Sequence, residues 1–251
     1  TNGSGTVFFS GCNLRCVYCQ NHTIAQGQTG REITVERLAE IFLELQAQKA
    51  HNINLVTPTH YIPQIIRALQ TAKNNGLAIP VVYNTSGYEK VDTLKSLEGL
   101  IDIYLPDLKY HDTALSTRYS GAPDYFEKAS AAIDEMLRQT GRPSFVDGED
   151  SLMRKGVIVR HLLLPGCEED SRYLLRFLHE TYRNDIYVSI MNQYTPMPQI
   201  AHIPALNRRI SPEEYEEIID YAIRIGIENG FIQEGETASE SFIPAFDCEG
   251  V

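Results

Sequence analysis

The feature that most limits the possible folds of this chain is a regular alternation of short apolar segments and longer amphipathic segments. The amphipathic segment that opens near Thr34 carries Leu38, Ile41, Phe42 and Leu45 at the spacing of one helical face. The apolar segments have the length of strands, and such alternation is typical of parallel sheets built from βα units. The predicted strands cover residues 5–10, 54–57, 80–84, 101–106, 156–164 and 186–191.

These strands, separated by helices, predict an α/β fold. We expect a partial (β/α)6 barrel of the TIM type with parallel strands, and a doubly wound sheet is the alternative. Residues 141–154 are polar and contain Gly, Pro, Ser and Asp, which indicates a loop and not a domain boundary. We expect residues 1–251 to form a single domain, and the absence of an initiator Met suggests a processed or truncated start.

The charge balance argues against binding to nucleic acids or anionic membranes. The chain has 22 basic and 33 acidic residues and a net charge of −11, whereas those partners are bound through clustered Lys and Arg. No apolar run is long enough to span a membrane, and the first residues lack the pattern of a signal peptide. Together with the free thiols described next, this predicts a protein of the reducing cytoplasm.

Three of the five cysteines lie close together, in the pattern Cys12-x3-Cys16-x2-Cys19 at the end of the first predicted strand. A structural zinc site is normally closed by four protein ligands, and an ordinary electron-transfer iron–sulfur cluster is held by four thiolates. Three thiolates therefore predict a metal site with one open position. The other two cysteines, Cys167 and Cys248, are expected to take no part in this site.

A zinc site is the alternative interpretation of this loop. His22 follows Cys19 by three residues, and His60 follows the second predicted strand, so either could supply a fourth ligand. The chain would then be a metal-binding module and not an enzyme. Its size, with 43% hydrophobic residues over 251 positions, is more than a structural zinc site requires.

Further polar residues fall at the carboxyl ends of the predicted strands, where ligands bind in both candidate folds. Asp107 and Lys109 are two residues apart and therefore point to the same face. Arg160 lies within an apolar strand, so its guanidinium requires a buried partner, and Asp107 is a candidate. The remaining strand-end candidates are Thr57, Thr59, Asn84, Thr85 and Gln193.

The three-cysteine motif, placed after a first strand and before βα units, resembles that of the radical S-adenosylmethionine (SAM) superfamily. The resemblance implies that Cys12, Cys16 and Cys19 hold a [4Fe-4S] cluster. It also implies that the fourth iron binds the amino and carboxylate groups of SAM, and that one electron cleaves SAM to a 5′-deoxyadenosyl radical. In that case the cofactors carry the radical chemistry, and the protein positions them.

Within the superfamily, residues 11–21 and Asp107-Leu108-Lys109 are similar to the activating enzymes of glycyl-radical enzymes. Residues 8–11, 83–88 and 192–196 are similar to the PflX-like branch of the pyruvate formate-lyase activating proteins, which usually carry more chain before the first strand. The resemblance implies an electron donor such as flavodoxin or ferredoxin. It also makes a glycyl-radical enzyme a candidate partner.

The resemblance further implies roles for single residues. Tyr18 would lie beside the adenine of SAM, and Asn84 with Thr85 would occupy the strand-three position of the SAM site. The residues that would contact SAM or its surroundings are Asp107, Lys109 and Arg160. A histidine that the pyruvate formate-lyase activator carries on strand six is replaced here, with Asn192 and Gln193 nearby.

One departure from the activating enzymes concerns the end of strand two. Those enzymes usually carry Gly-Gly-Glu there, whereas this chain reads Thr57-Pro58-Thr59-His60 and has no carboxylate at the matching position. Thr57 and Thr59 could supply hydroxyl or carbonyl oxygens instead. The leading hypothesis is a radical SAM enzyme that activates a glycyl-radical enzyme, and a radical SAM reaction on a small molecule or peptide is the second.

Overall fold

The computed structural model describes residues 3–27, 29–146, 152–232, 248 and 250. Its strands are β1 Gly5–Phe8, β2 Ile53–Val56, β3 Val81–Thr85, β4 Ile103–Pro106, β5 Ser144–Phe145, β6 Met153–Leu162, β7 Tyr187–Met191 and β8 Gly230–Ile232. Its α-helices are α1 His22–Ala25, α2 Val35–Ala47, α3 Ile62–Asn74, α4 Val91–Lys95, α5 Thr113–Ser120, α6 Tyr125–Thr140, α7 Glu168–Tyr182 and α8 Pro212–Ile225. Short 3-10 turns cover Thr59–Tyr61, Arg183–Asp185, Pro198–Ile200 and Pro204–Leu206.

The strands form one sheet in the order β1-β2-β3-β4-β6-β7-β8, with every neighbouring pair in this path parallel. In the part of the chain that is described, β1 and β8 are the edges and do not pair with each other. The sheet is therefore open, and the predicted α/β fold with a partial barrel of parallel strands is confirmed.

Two strands were not predicted from the sequence. Strand β5 is two residues long and pairs antiparallel with the start of β6, inside the segment predicted to be a loop. It forms because β6 is ten residues long and its first residues extend beyond the part that pairs with β4. Strand β8 has only three residues, all of them exposed, and is too short to show an alternation of apolar and polar positions. Residues 147–151 of the predicted loop lie outside the described residues.

The two faces of the sheet differ in polarity. One face carries side chains such as Leu55, Tyr83, Tyr104 and Val159, which are fully buried in the core. Consecutive strand residues point to opposite faces, so Asn84 lies on the other face from Tyr83. On that face the strands end in polar side chains, which places a candidate site at their carboxyl ends.

The helices show the expected signals at their ends. Helix α2 begins after Thr34, whose hydroxyl accepts from the backbone N–H of Arg37, and α8 begins with a capping box between Ser211 and Glu214. None of the helices in the described ranges is both apolar enough and long enough to cross a membrane.

Candidate functional site

The cysteine loop follows β1 directly and is fixed to the sheet at its first residues. The backbone N–H of Phe9 donates to the carbonyl of Val56 at 3.0 Å, which extends the pairing of β1 with β2 by one step. The N–H of Gly11 donates to the carbonyl of Ile24 in α1 at 2.8 Å. The loop is thereby held at the carboxyl end of the sheet, as the sequence predicts.

The middle of the loop is bound to the end of helix α5. The N–H of Arg15 donates to the carbonyl of Ser120 at 3.1 Å, and the N–H of Val17 donates to that of Tyr119 at 2.9 Å. These carbonyls are free to accept because α5 ends there, with Gly121 in the left-handed conformation at φ 68°. The fold thus uses a helix end to set the position of the loop that carries Cys16.

The three thiols are partly buried and close enough to influence one another. Burial raises the pKa of Cys12, and the neighbouring Cys16 raises it further. The pKa of Cys19 is raised to about 11, first by burial and then by Cys16, while Lys109 opposes the shift at both thiols. Across the described ranges, no three His, Cys, Asp or Glu side chains converge in a metal-ligating arrangement, and because this finding includes the three thiols it does not distinguish a cluster from a zinc site.

An ion network lies beside this loop, at the carboxyl ends of β4 and β6. Lys109 Nζ lies 2.6 Å from Asp107 Oδ2, and Arg160 Nη2 lies 2.7 Å from Asp107 Oδ1. Arg160 Nη2 also donates to Asn84 Oδ1 at 2.8 Å, which connects β3 to the network. The prediction that Asp107 is the partner of Arg160 is confirmed.

The charges of the network stabilise one another. Burial alone would raise the pKa of Asp107, but the positive charges of Arg160 and Lys109 outweigh it and hold that pKa below its ordinary value. Burial would lower the pKa of Lys109, but Asp107 and then Cys16 raise it. One carboxylate faces two cations, so the group carries a net positive charge. Arg160 Nε is buried without a hydrogen-bond partner.

The loop after β2 contains the residues that replace Gly-Gly-Glu. Thr57 has a left-handed backbone with φ 56°, which is rare for a β-branched residue, and its N–H donates to the carbonyl of Asn84 at 2.9 Å. Thr59 directs its hydroxyl to Glu89 Oε1 at 2.6 Å. The end of strand two therefore contacts a carboxylate after all.

Glu89 comes from the loop after β3 and was missed in the sequence. Its Oε1 also accepts from the hydroxyl of Thr85 at 2.5 Å and lies 3.4 Å from that of Tyr83, while Oε2 is buried without a hydrogen-bond partner. Burial raises the pKa of this carboxyl against the lowering effect of these hydroxyls. No motif in the sequence marks Glu89, because its contacts depend on the turn at Gly87, which has a left-handed backbone with φ 79°.

Tyr18 lies in the loop but is buried, and its hydroxyl contacts that of Tyr110 at 2.5 Å. The Tyr110 hydroxyl lies 2.8 Å from Ser120 Oγ, which lies 2.9 Å from Cys16 Sγ. The Tyr18 ring packs edge-on against Tyr194, with the ring centroids 6.1 Å apart. Burial raises the pKa of Tyr18 well above its ordinary value.

The predicted site residues thus fall into connected groups. The carbonyl of Gln193 accepts from Gln20 Nε2 at 3.0 Å, which connects the end of β7 to the cysteine loop. The residues that the structure joins directly are Asp107, Lys109, Arg160 and Asn84 in one network, Thr59 and Thr85 on Glu89, and Tyr18 and Cys16 through Tyr110 and Ser120. Their roles toward a cofactor stay predictions.

Comparison with known protein families gives a match to the radical SAM superfamily over residues 6–166, which include the cysteine loop and the network of Asp107, Lys109 and Arg160. An uncharacterised protein of Methanocaldococcus jannaschii is 29% identical over 238 residues, covering 90% of this chain and 63% of its own length. The pyruvate formate-lyase-activating enzyme of Staphylococcus aureus (strain USA300) is 26% identical over 182 residues, covering 68% of this chain and 65% of its own.

Solved structures show the same fold at low identity. Streptococcus suis SuiB bound to S-adenosylmethionine superposes with a TM-score of 0.63 at 15% identity, over 96% of this chain and 55% of that one. Coproporphyrinogen III oxidase (HemN) of Escherichia coli, a radical SAM enzyme, superposes with a TM-score of 0.57 at 14% identity, over 89% and 53%. The chain spans less than two thirds of the length of each of these relatives. The family match covers more than half of the chain. The chain therefore belongs to the radical SAM superfamily of enzymes.

Proposed function

We propose that the protein holds a [4Fe-4S] cluster on Cys12, Cys16 and Cys19 and binds S-adenosylmethionine beside it. The observation that carries the proposal is the loop of three partly buried thiols at the carboxyl end of β1, next to a cationic network. When bound, the cluster and SAM supply one-electron cleavage to methionine and a 5′-deoxyadenosyl radical that abstracts a hydrogen atom. The donor set fits this cluster, because soft thiolates suit iron and a fourth ligand position is left over.

The chain's own residues position the cofactor in this proposal. Asp107 accepts from a cationic or hydroxyl group, and Lys109 and Arg160 attract an anionic group such as the carboxylate of SAM. The ion pairs of the network lie at 2.6 Å and 2.7 Å, so Asp107 holds both cations in place.

Anaerobic reconstitution tests the cluster. We expect a brown protein with about four irons per chain, as one cubane cluster requires. The Cys16→Ala variant is expected to lose the cluster, while Cys248→Ser, which changes an exposed cysteine outside the loop, keeps it. A colourless zinc protein, or equal iron content in Cys16→Ala and the wild type, would contradict the proposal.

The finer proposal is that the hydrogen donor is a glycine in a glycyl-radical enzyme. It is supported by the similarity to the pyruvate formate-lyase-activating enzyme of Staphylococcus aureus. A flavodoxin or ferredoxin is the proposed electron donor. We expect a glycyl radical doublet in the EPR spectrum when the correct partner is added with SAM and reductant. The absence of that signal with every glycyl-radical enzyme of the source organism would contradict this assignment.

A second candidate is a radical SAM reaction on a small molecule or peptide. It is favoured by the altered end of strand two, where Thr57-Pro58-Thr59 stands in place of Gly-Gly-Glu and the carboxylate of Glu89 comes from another loop. A different sequence in the loop after β2 is compatible with a substrate that binds in a different position. Deuterium transfer from a labelled candidate substrate into 5′-deoxyadenosine would distinguish this candidate from glycine activation.

A further inference from the structure

A chain of four hydrogen-bonding groups connects the cysteine loop to the core. It runs from Cys16 Sγ to Ser120 Oγ at 2.9 Å, from Ser120 Oγ to the Tyr110 hydroxyl at 2.8 Å, and from there to the Tyr18 hydroxyl at 2.5 Å. Ser120 and Tyr110 are each 1% exposed, and Tyr18 is 6% exposed. Water therefore does not compete for these hydroxyls, and each depends on its neighbours in the chain.

The position of Ser120 beside Cys16 is fixed by the backbone. The carbonyls of Tyr119 and Ser120 accept the backbone N–H groups of Val17 and Arg15, the two residues that flank Cys16. Helix α5 ends at Ser120 because Gly121 adopts the left-handed conformation. Two backbone hydrogen bonds thus fix the backbone of Ser120 beside Cys16, and its hydroxyl lies 2.9 Å from the sulfur.

The direction of hydrogen bonding follows from the state of Cys16. A thiolate that binds a metal has no proton to give, so Ser120 must donate to the sulfur. The Ser120 oxygen then accepts from Tyr110, and Tyr110 in turn accepts from Tyr18. Burial raises the pKa of Tyr110 well above its ordinary value, so this phenol keeps the proton that the arrangement needs.

We propose that Ser120, supported by Tyr110 and Tyr18, is a positioning residue that raises the reduction potential of the cluster held by Cys16. The physical reason is that reduction adds one electron to the cluster and its sulfurs, and a hydroxyl that donates to a sulfur stabilises the more negative state. A low-potential one-electron donor supplies that electron, and no proton is transferred along the chain of hydroxyls. The inference rests on the proposed function, because it requires the cluster to be present.

The test is a redox titration of the reconstituted protein, followed by the EPR signal of the reduced cluster. In Ser120→Ala we expect the equilibrium constant for reduction to fall about tenfold, which equals a potential lower by about 59 mV for one electron. Tyr110→Phe removes the donor to Ser120 and should lower the potential less, and Tyr18→Phe should lower it least. The matched control is Ser116→Ala, which removes another buried hydroxyl of α5 that bonds only to the carbonyl of Thr113 among the described contacts.

The outcomes separate the inference from the proposed function. If the wild type takes up no cluster, the proposed function fails. If Ser120→Ala takes up the cluster with an unchanged potential, or if Ser116→Ala shifts it equally, the inference is overturned while the proposed function stands. Should Ser120→Ala fail to fold or to bind iron, the titrations of Tyr110→Phe and Tyr18→Phe decide, and unchanged potentials in both overturn the inference.

Discussion

The Glu89 carboxyl is buried between the ends of β2 and β3, where it joins the hydroxyls of Thr59 and Thr85. Its second oxygen has no hydrogen-bond partner, which is costly for a charged group in the interior. The protonation state of Glu89 is therefore coupled to folding, because burial favours the neutral carboxyl. Glu89 contacts the loop after β2 through Thr59.

This coupling predicts a pH dependence of stability. The folded pKa of Glu89 is raised above its ordinary value of 4.5, so in the pH range between these two pKa values the folded state binds more protons than the unfolded state. Wild-type stability therefore falls relative to Glu89→Gln as the pH rises through this range. Urea unfolding between about pH 4 and pH 7 measures the difference. The same substitution at exposed Glu216 is the control, and an identical pH profile for the two variants would refute the prediction.

Arg160 and Asp107 give a second prediction for a single residue. In Arg160→Met, Asp107 loses a cation at 2.7 Å, and we expect the free energy of unfolding to fall by roughly 2–4 kcal/mol. The control is Arg142→Met, which breaks an exposed ion pair with Asp185 and should cost less than about 1 kcal/mol. Chemical denaturation compares the two variants, and equal losses would show that the buried network does not stabilise the fold.

At the scale of elements, the turn after β3 is packed tightly against the end of β4. A Cβ atom on Gly87 would lie 2.1 Å from the carbonyl oxygen of Asp107, and Gly87 has φ 79°. The hydroxyl of Tyr125 donates to that same carbonyl or to that of Ser86, at 3.0 Å and 2.8 Å. The turn thus helps to fix the strand end that carries the ion network.

We therefore expect Gly87→Ala to be far more damaging than an ordinary glycine substitution. Gly76→Ala is the matched control, because Gly76 also has a left-handed backbone, φ 98°, but has open space around its Cβ position. The control should cost about 1–2 kcal/mol from backbone strain alone, and Gly87→Ala should exceed it by about 2 kcal/mol or more because of the clash. Similar melting temperatures for the two variants would contradict this packing.

The elements also show how far the sequence could predict the fold and the site. Apolar segments revealed β1 to β4, β6 and β7, but β5 and β8 are too short to show a period. The proximity of Asp107 and Lys109 could be predicted, because side chains two residues apart in an extended chain point to the same face. Glu89 and Ser120 could not be assigned, because their contacts depend on how a turn and a helix end dock against other segments.

At the scale of the whole molecule, charge is distributed unevenly. The chain carries a net charge of −11, yet the network at the carboxyl ends of β4 and β6 has two cations for one carboxylate. An anionic ligand group is therefore attracted to this point against the overall charge of the protein. Cys16 of the cysteine loop is among the groups that raise the pKa of Lys109. The fold thus brings the three thiols and a cationic network together at the carboxyl ends of the strands.

The most direct test of the account is the release of 5′-deoxyadenosine from S-adenosylmethionine by the reconstituted protein under dithionite, quantified by mass spectrometry. We predict product from the wild type and from Cys248→Ser, and none above background from Cys16→Ala. Product formation by Cys16→Ala at the wild-type level, or no product from a wild-type protein that carries its full cluster, would contradict the assignment of this site.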